Sequence, residues 1–546
     1  MDYPKDSQRR KVRVGPSNSY RSHEGLLDVL EDLFPARFSP FDGATDGADA
    51  AIILENDPEL YRQLAEAPFP AYVVDHSNAA QSFSPQQTRF GGRPSGQPWL
   101  HGRTIPWKGS AAVCAVTVAQ GDEIIATADE QPVWVTRRNA RGNKVILSGP
   151  FPAWDAEAPF ILQLIRGALP AYLPLLDFLR EITAPVDYDP APNRACFMFD
   201  DPNLHSTTWG HLNYRQLIRE AQEHDYHAAI ATVPIDSWYT NPAAASLFRN
   251  HPDRVSLLMH GVKHTHAELH HPARDEDRAH ELTLGLRWIE RLERRHGVRV
   301  SRVMAPPHHA CSPKTCELML QHGYEAACVS WGALVKWNPG HPWPLSFGLG
   351  MTEFLGGLPV IPRFNFADHD DARVLLAAFL RQPIVMIGHH GDVAGSLEIL
   401  AEAASKIRTL PEVQWGDMQT IARGCFLTKR TGNSLWIRLQ ARLVVAQIPE
   451  GVEHLFVDRP WLTEEASEPL VLQQPDSSHF KVAGNRVIGP IPARPGPLTL
   501  HCPPAETLSV PLNGSRLLPP VWPLARRLLC EARDRLAPFT ARRKSP

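Results

Sequence analysis

No stretch of this chain reaches the eighteen or so consecutive apolar residues that cross a bilayer. None of its eight cysteines forms a Cys-x-x-Cys pair. The first lack argues against a transmembrane segment. The second, with several cysteines set in apolar runs such as Ala195-Cys196-Phe197, favours buried free thiols over disulfides. Charge of one sign is also missing: the net value is −3 with histidines neutral, so no basic field recruits nucleic acid or an anionic surface. Residues Met1 to Gly25 are polar and basic with no apolar core of a secretory signal, and with the thiols this predicts a cytoplasmic chain. Proline is plentiful instead, 51 residues in 546, which suggests several loop-rich modules and a length suited to three or four domains.

The alternation of apolar runs and turn residues divides the chain. A polar leader, 1–23, precedes a small α/β domain over 24–184. There Ala50 to Leu54 and Ala71 to Asp75 read as strands around a helix at Pro58 to Ala65. Runs at Ala112–Val118, Glu123–Ala126, Pro132–Thr136 and Lys144–Leu147 read as a meander. The segment faintly resembles amidotransferase-like folds, but it has no Gly-x-Cys-x-Gly elbow and is read as non-catalytic. A Pro/Asp linker follows. From 194 to 424 strand and helix signals alternate about seven times, with strands at Ala195–Phe199, His227–Thr232, Arg254–Met259, Arg299–Met304, Ala326–Ser330, Leu358–Ile361 and Pro383–Ile387. That rhythm indicates an α/β barrel, incomplete or distorted. Residues 430–512 lose the helical period and read as a β-sandwich-like domain. The tail, 513–546, carries a basic amphipathic helix, which would fold back on its own protein or dock on a membrane surface or protein partner.

Chemistry gathers at the predicted strand ends of the middle region, which holds 19 of the 25 histidines. Asp200-Asp201 follows the first strand, and His260 and His264 follow the third. Pro307-His308-His309 follows the fourth and His389-His390 the last. Loops at that rim converge while strands hold them rigid. Two imidazoles at i,i+4 can bind one divalent cation from the same side. Adjacent carboxylates are costly unless a cation neutralises them, and their diverging side chains can divide the roles of ligand and base. Taken singly, Asp-Asp is as well a turn or helix cap and His-x-x-x-His a surface pair; it is their joint order that points to a metal-dependent hydrolase.

Phe199-Asp200-Asp201, His260-Gly-Val-Lys-His264, Ala305-Pro-Pro-His308-His309 and Gly388-His389-His390 resemble, in order, the motifs of the NodB-homology polysaccharide deacetylases, the fourth carbohydrate esterase family. The resemblance covers roughly 194–424 and implies a distorted (β/α)7 barrel. It implies Asp200 as general base, Asp201, His260 and His264 as ligands of a divalent metal, foremost Zn2+, and His389 or His390 as general acid. The implied reaction removes an acetyl group from an N-acetylated, less favourably an O-acetylated, sugar. Pro307, His308, His309, Arg363 and Trp331 would touch substrate or steady the ligands, with Trp337 beside Trp331 along a sugar groove.

The sequence departs from that pattern. Pro202 stands where the first motif has glycine, and Gly261 where the second has Ser or Thr. Ala305 takes the place of the arginine that would hold the base, and Arg363 is the candidate to supply that guanidinium from another strand. Two alternatives stay open. One is another barrel hydrolase: a glycosidase pairing Asp200 with Asp368 or Asp392, or a non-sugar amidase. The other is a carbohydrate-binding protein impaired in turnover.

Overall fold

In the computed structural model, which describes residues 9–41, 47–78, 81–107, 113–366, 371–463, 465–475, 479–508 and 520–541, the chain divides into two units. The first comprises Met1–Asp189, Pro342–Gly350 and Asp370–Phe379. The second comprises Pro190–His341, Met351–His369 and Leu380–Pro546.

In the first unit, Val12 and Val14 alternate with Lys11 and Arg13, and both valines are fully buried. Arg10–Gly15, read from composition as part of a polar leader, is therefore a strand, paired in parallel with Ala36–Pro40 on one side and Ala50–Ile53 on the other. Period-two burial decided its state, and the flanking charges masked it. The nine-stranded sheet continues in parallel through Ala71–Val74 and Lys144–Ser148. It then turns antiparallel through Gln131–Arg138, Glu123–Ala128, Gln87–Phe90 and Thr104–Pro106. The strand expected at Ala112–Val118 is not formed over 113–118, where a single bridge joins Phe83 and Val113; 108–112 lie outside the described residues. The helical run Phe160–Thr183 has a mean hydropathy of 1.2 in its best window. By length and mean composition it could cross a bilayer, although Arg166, Asp177 and Arg180 interrupt its apolar residues and 72% of that window is buried inside the protein.

The second unit is built on a ten-stranded, mixed α/β sheet. Asn193–Asp200 pairs in parallel with Ala228–Thr232 and with Ile384–Gly388. From Ala228–Thr232 the parallel order runs through Val255–Met259, Val300–Met304, Ala326–Val329 and Leu358–Pro362. Two residues beyond, Phe364–Asn365 pairs with Ile384–Gly388, so one extended segment touches both ends of a curled sheet. The helices between strands follow their local signals. Ser312 Oγ caps Pro313–Gln321 by accepting the Thr315 N–H at 3.2 Å, and Gly297 at φ +66° ends Asp275–His296.

Residues 426–501 form two four-stranded sheets whose inward residues, among them Ile437, Val444, Val457, Leu472 and Leu500, share one buried cluster. All eight cysteines are free thiols, seven of them buried. The C-terminal helix is Val521–Ala541.

Candidate metal centre

Side-chain alternation sets the positions of the site residues. Met198, Leu258, Ile361, Val385 and Ile387 belong to a single cluster inside the curled sheet, with Ala231, Ala305 and Cys328 from the strands between. Successive residues of a strand face opposite sides, so the next inward positions are Asp200, His260, Arg363 and His389. Parity thus separates the two histidines that sequence left equivalent. His389 continues the inward column, whereas His390 stacks on His211 at 5.7 Å and lies 3.8 Å from Asp534 of the C-terminal helix.

Asp201 is out of step with this column. Its backbone is at φ +87°, in a region L side chains rarely adopt, and the turn swings its carboxylate back to the sheet's mouth. Oδ1 lies 3.1 Å from His264 Nε2 and 3.9 Å from His260 Nε2, and the three donor atoms all lie within 4.8 Å of one another. The corners of a tetrahedron around an ion with bonds of about 2.1 Å lie about 3.4 Å apart, so the donor set fits a divalent cation. His260 Nδ1 is 2.8 Å from the Ala305 carbonyl oxygen, which places the hydrogen on Nδ1 and leaves the Nε2 lone pair toward Asp201. Burial would raise the Asp201 carboxyl, but the imidazoles of His264 and His260 and the Arg527 guanidinium bring it well below the usual range. Burial, then the neighbouring His260, lowers His264 so that it stays neutral, the form that ligates.

A buried carboxylate shapes the loop that carries the two histidines. Glu268 Oε1 accepts the N–H of Val262 at 2.7 Å and of His264 at 3.1 Å; Oε2 accepts those of Lys263 at 3.1 Å and Thr265 at 3.3 Å. The close fit explains Gly261. Its φ is +62°, and a Cβ there would collide with Glu268 Oε1 and the Pro307 ring.

Arg363 Nη1 donates to Asp200 at 3.0 Å (Oδ1) and 3.1 Å (Oδ2), with both side chains buried. Arg363 therefore makes the contact that Ala305 cannot. Burial pushes the Asp200 carboxyl up, and Arg363, then His260, His389 and His309, more than offset it, leaving the group ionised. His309, with Nδ1 buried and without a partner, is lowered to about 3 by burial and by Arg363.

The remaining candidates separate by exposure. His308 is exposed, with its ring 5.5 Å from His264 and 4.9 Å from His266, and its carbonyl accepts from Trp337 Nε1 at 3.1 Å. Pro307 is buried against Gly261. Trp331 is only 3% exposed, so it does not present the groove wall expected of it, and Trp337 is half-buried. Asp368 lies outside the described residues, and Asp392 accepts its own turn's His389 N–H at 2.7 Å.

Sequence reasoning missed four residues here: Glu268; Arg527, which donates to Asp201 Oδ1 at 3.2 Å; Asp236, which accepts from Arg527 at 2.7 Å; and His205, whose Nε2 lies 2.7 Å from the Asp236 carbonyl oxygen. Asp236 sits just past a strand end, a signal that could have found it. Arg527 was legible only as part of the basic face of the tail helix, with no local signal that it reaches Asp201. The C-terminal helix buries Arg527, Glu531 and Asp534, a turn-spaced polar stripe, and leaves Leu528, Leu529 and Leu536 exposed, the reverse of docking by its leucines.

No protein-family model and no curated protein matches this chain. Among solved structures it is similar to a family 4 carbohydrate esterase from Streptomyces lividans in complex with acetate, at 14% identity over 42% of this chain and 94% of that one, TM-score 0.25. It is also similar to the peptidoglycan deacetylase PdaC from Bacillus subtilis, at 13% identity over 43% and 93%, TM-score 0.24. A third is the Xyl-CE4 domain of a multidomain xylanase from the hindgut metagenome of Trinervitermes trinervoides, at 12% identity over 41% and 87%, TM-score 0.25.

Proposed function

We propose that this protein is a metal-dependent hydrolase that removes the acetyl group from an N-acetylated, less favourably an O-acetylated, sugar or polysaccharide. We read its curled sheet as a distorted (β/α)7 barrel: seven parallel strands, with Leu358–Asn365 counted as one, each pairing with two neighbours. The observation that carries the reading is the convergence of Asp201, His260 and His264 beside an ionised Asp200 held by Arg363. Zn2+ is the ion that one carboxylate and two imidazoles suit best.

A bound dication would polarise the substrate carbonyl and lower the pKa of water beside it. Asp200 takes the proton from the attacking water, a role that requires the carboxylate Arg363 maintains. His389, exposed on the inward column, gives a proton to the departing amine nitrogen, because an amine anion cannot leave. Arg363 orients the base without touching the reacting atoms.

The test is acetate release from N-acetylchitooligosaccharides and acetylxylan by the full chain loaded with Zn2+, with metal content measured alongside. The reading expects near-stoichiometric metal and turnover, both lost in His260→Ala. Bound metal with every acetylated sugar left intact would instead favour a binding protein. Turnover of a glycosidic bond by metal-free protein would favour a glycosidase.

A further inference from the structure

We propose that the C-terminal helix Val521–Ala541 belongs to this centre, with Arg527 a positioning residue that holds Asp201 in its ligating conformation. The inference rests on the reading of Asp201, His260 and His264 as metal ligands. Strand alternation would turn Asp201 away from His264, and only its backbone at φ +87° brings Oδ1 to the imidazoles. Such a conformation persists only where the surroundings over-determine it.

From its own unit's sheet, Asp201 has one backbone anchor, its N–H donating to the Ala231 carbonyl at 3.2 Å. The other grip comes from 326 positions away in sequence. Arg527 Nη2 donates to the Asp201 carbonyl oxygen at 3.0 Å and Nη1 to Oδ1 at 3.2 Å, so one planar fork fixes both the strained backbone and the side chain. Arg527 is itself fixed by Asp236, with Nη2 to Oδ2 at 2.7 Å and Nε to Oδ2 at 3.2 Å. The helix is held in register by Glu531, whose Oε2 meets His205 Nδ1 at 2.7 Å and Asn203 Nδ2 at 3.1 Å, and by Arg535 Nη1 on the Thr208 carbonyl at 3.0 Å. Arg526 donates to the His264 carbonyl, so adjacent arginines reach two of the three ligands.

The guanidinium does not displace the cation's charge partner. Asp236 pairs with the charge of Arg527, and Asp201 still offers its carboxylate to a dication beside the two imidazoles. The competing possibility is that Arg527 serves as a resident cation in place of a metal, and it predicts the opposite sign on mutation.

The experiment uses the full chain, stripped with chelator, and compares wild type with Arg527→Gln, Arg527→Lys, Asp236→Asn and Arg535→Gln. Zn2+ affinity is read by competition with a chromophoric chelator, and hydrogen exchange of the Asp201 amide is read in the metal-free protein. Loss of a partner that orients a ligand weakens metal binding by about 10- to 100-fold. The proposal expects that loss in Arg527→Gln and smaller ones in Arg527→Lys, Asp236→Asn and Arg535→Gln, the last because it loosens only the register of the helix. It also expects faster Asp201 exchange in Arg527→Gln. Unchanged or tighter Zn2+ binding in Arg527→Gln overturns it. If wild type binds no Zn2+, the metal reading fails by itself, and the exchange arm still decides: an Asp201 amide as protected in Arg527→Gln as in wild type overturns the clamp. Should Arg527→Gln fail to fold, Asp236→Asn reports on the same grip from the other side.

Discussion

Arg363 and Asp200 form a buried ion pair in which one guanidinium nitrogen lies 3.0 and 3.1 Å from the two carboxylate oxygens. They stand 163 positions apart in sequence and meet because each lies two residues beyond an inward-facing strand residue, Ile361 and Met198. Removing one partner of a buried pair leaves the other charge uncompensated, at a cost of about 3–5 kcal/mol. Arg363→Met should lower unfolding stability by that order in a urea titration. Without the guanidinium, burial dominates and the Asp200 carboxyl rises, so the acid limb of the pH–rate profile should move to higher pH.

Glu268 offers a test of how the histidine loop is held. Glu268→Ala leaves four backbone N–H groups without their acceptor. Each buried donor left unmet costs about 1–3 kcal/mol before water enters. Zn2+ affinity should fall by about tenfold or more as His264 loses its fixed backbone, measured by chelator competition on protein still folded by circular dichroism. Gly261→Ser, which restores the commoner residue of the resembled motif, should weaken binding too, because its Cβ meets Glu268.

The two adjacent histidines should behave differently. His389→Ala should reduce acetate release by about 10²- to 10⁴-fold, the range for a lost general acid. His390, engaged with His211 and Asp534, should tolerate alanine with far smaller loss. Equal losses in the two variants would contradict the parity argument.

Asp177, in the first unit, gives a pH dependence independent of the centre. Burial, against the Gly96 N–H, raises its carboxyl to about 7. Its folded pKa is above the unfolded one, so between pH 4 and 7 the folded chain holds a proton the unfolded chain has released. Stability therefore falls as pH rises through that window. Roughly three units at about 1.4 kcal/mol each gives an upper order of about 4 kcal/mol. Asp177→Asn should flatten that slope in denaturant titrations at pH 5 and pH 8, and stabilise the protein at pH 8.

The strands of the second unit were legible because each is a buried apolar run closed by turn residues, as in Arg254–Met259 against the observed Val255–Met259. Asp201, His260 and His264 were legible as an ordered motif, and their donor atoms lie within 4.8 Å of one another. The strand Arg10–Gly15 was hidden by its own charged alternation. Trp331 looked like a groove residue, but a tryptophan's burial is set by the helix it starts and not by its neighbours in sequence.

What the sequence by itself determined is local: which runs become strands, where helices are capped, and which side chains stand at strand ends. Propensity and period act over a few residues and leave their mark there. Only the tertiary structure decided that Arg363 replaces the absent arginine beside Asp200, that His389 rather than His390 continues the inward face, and that Arg527 grips Asp201. Those pairings depend on the curl of the sheet and the path of a distant helix. A guanidinium can satisfy a carboxylate from any direction that geometry allows, and no local pattern records which direction was used.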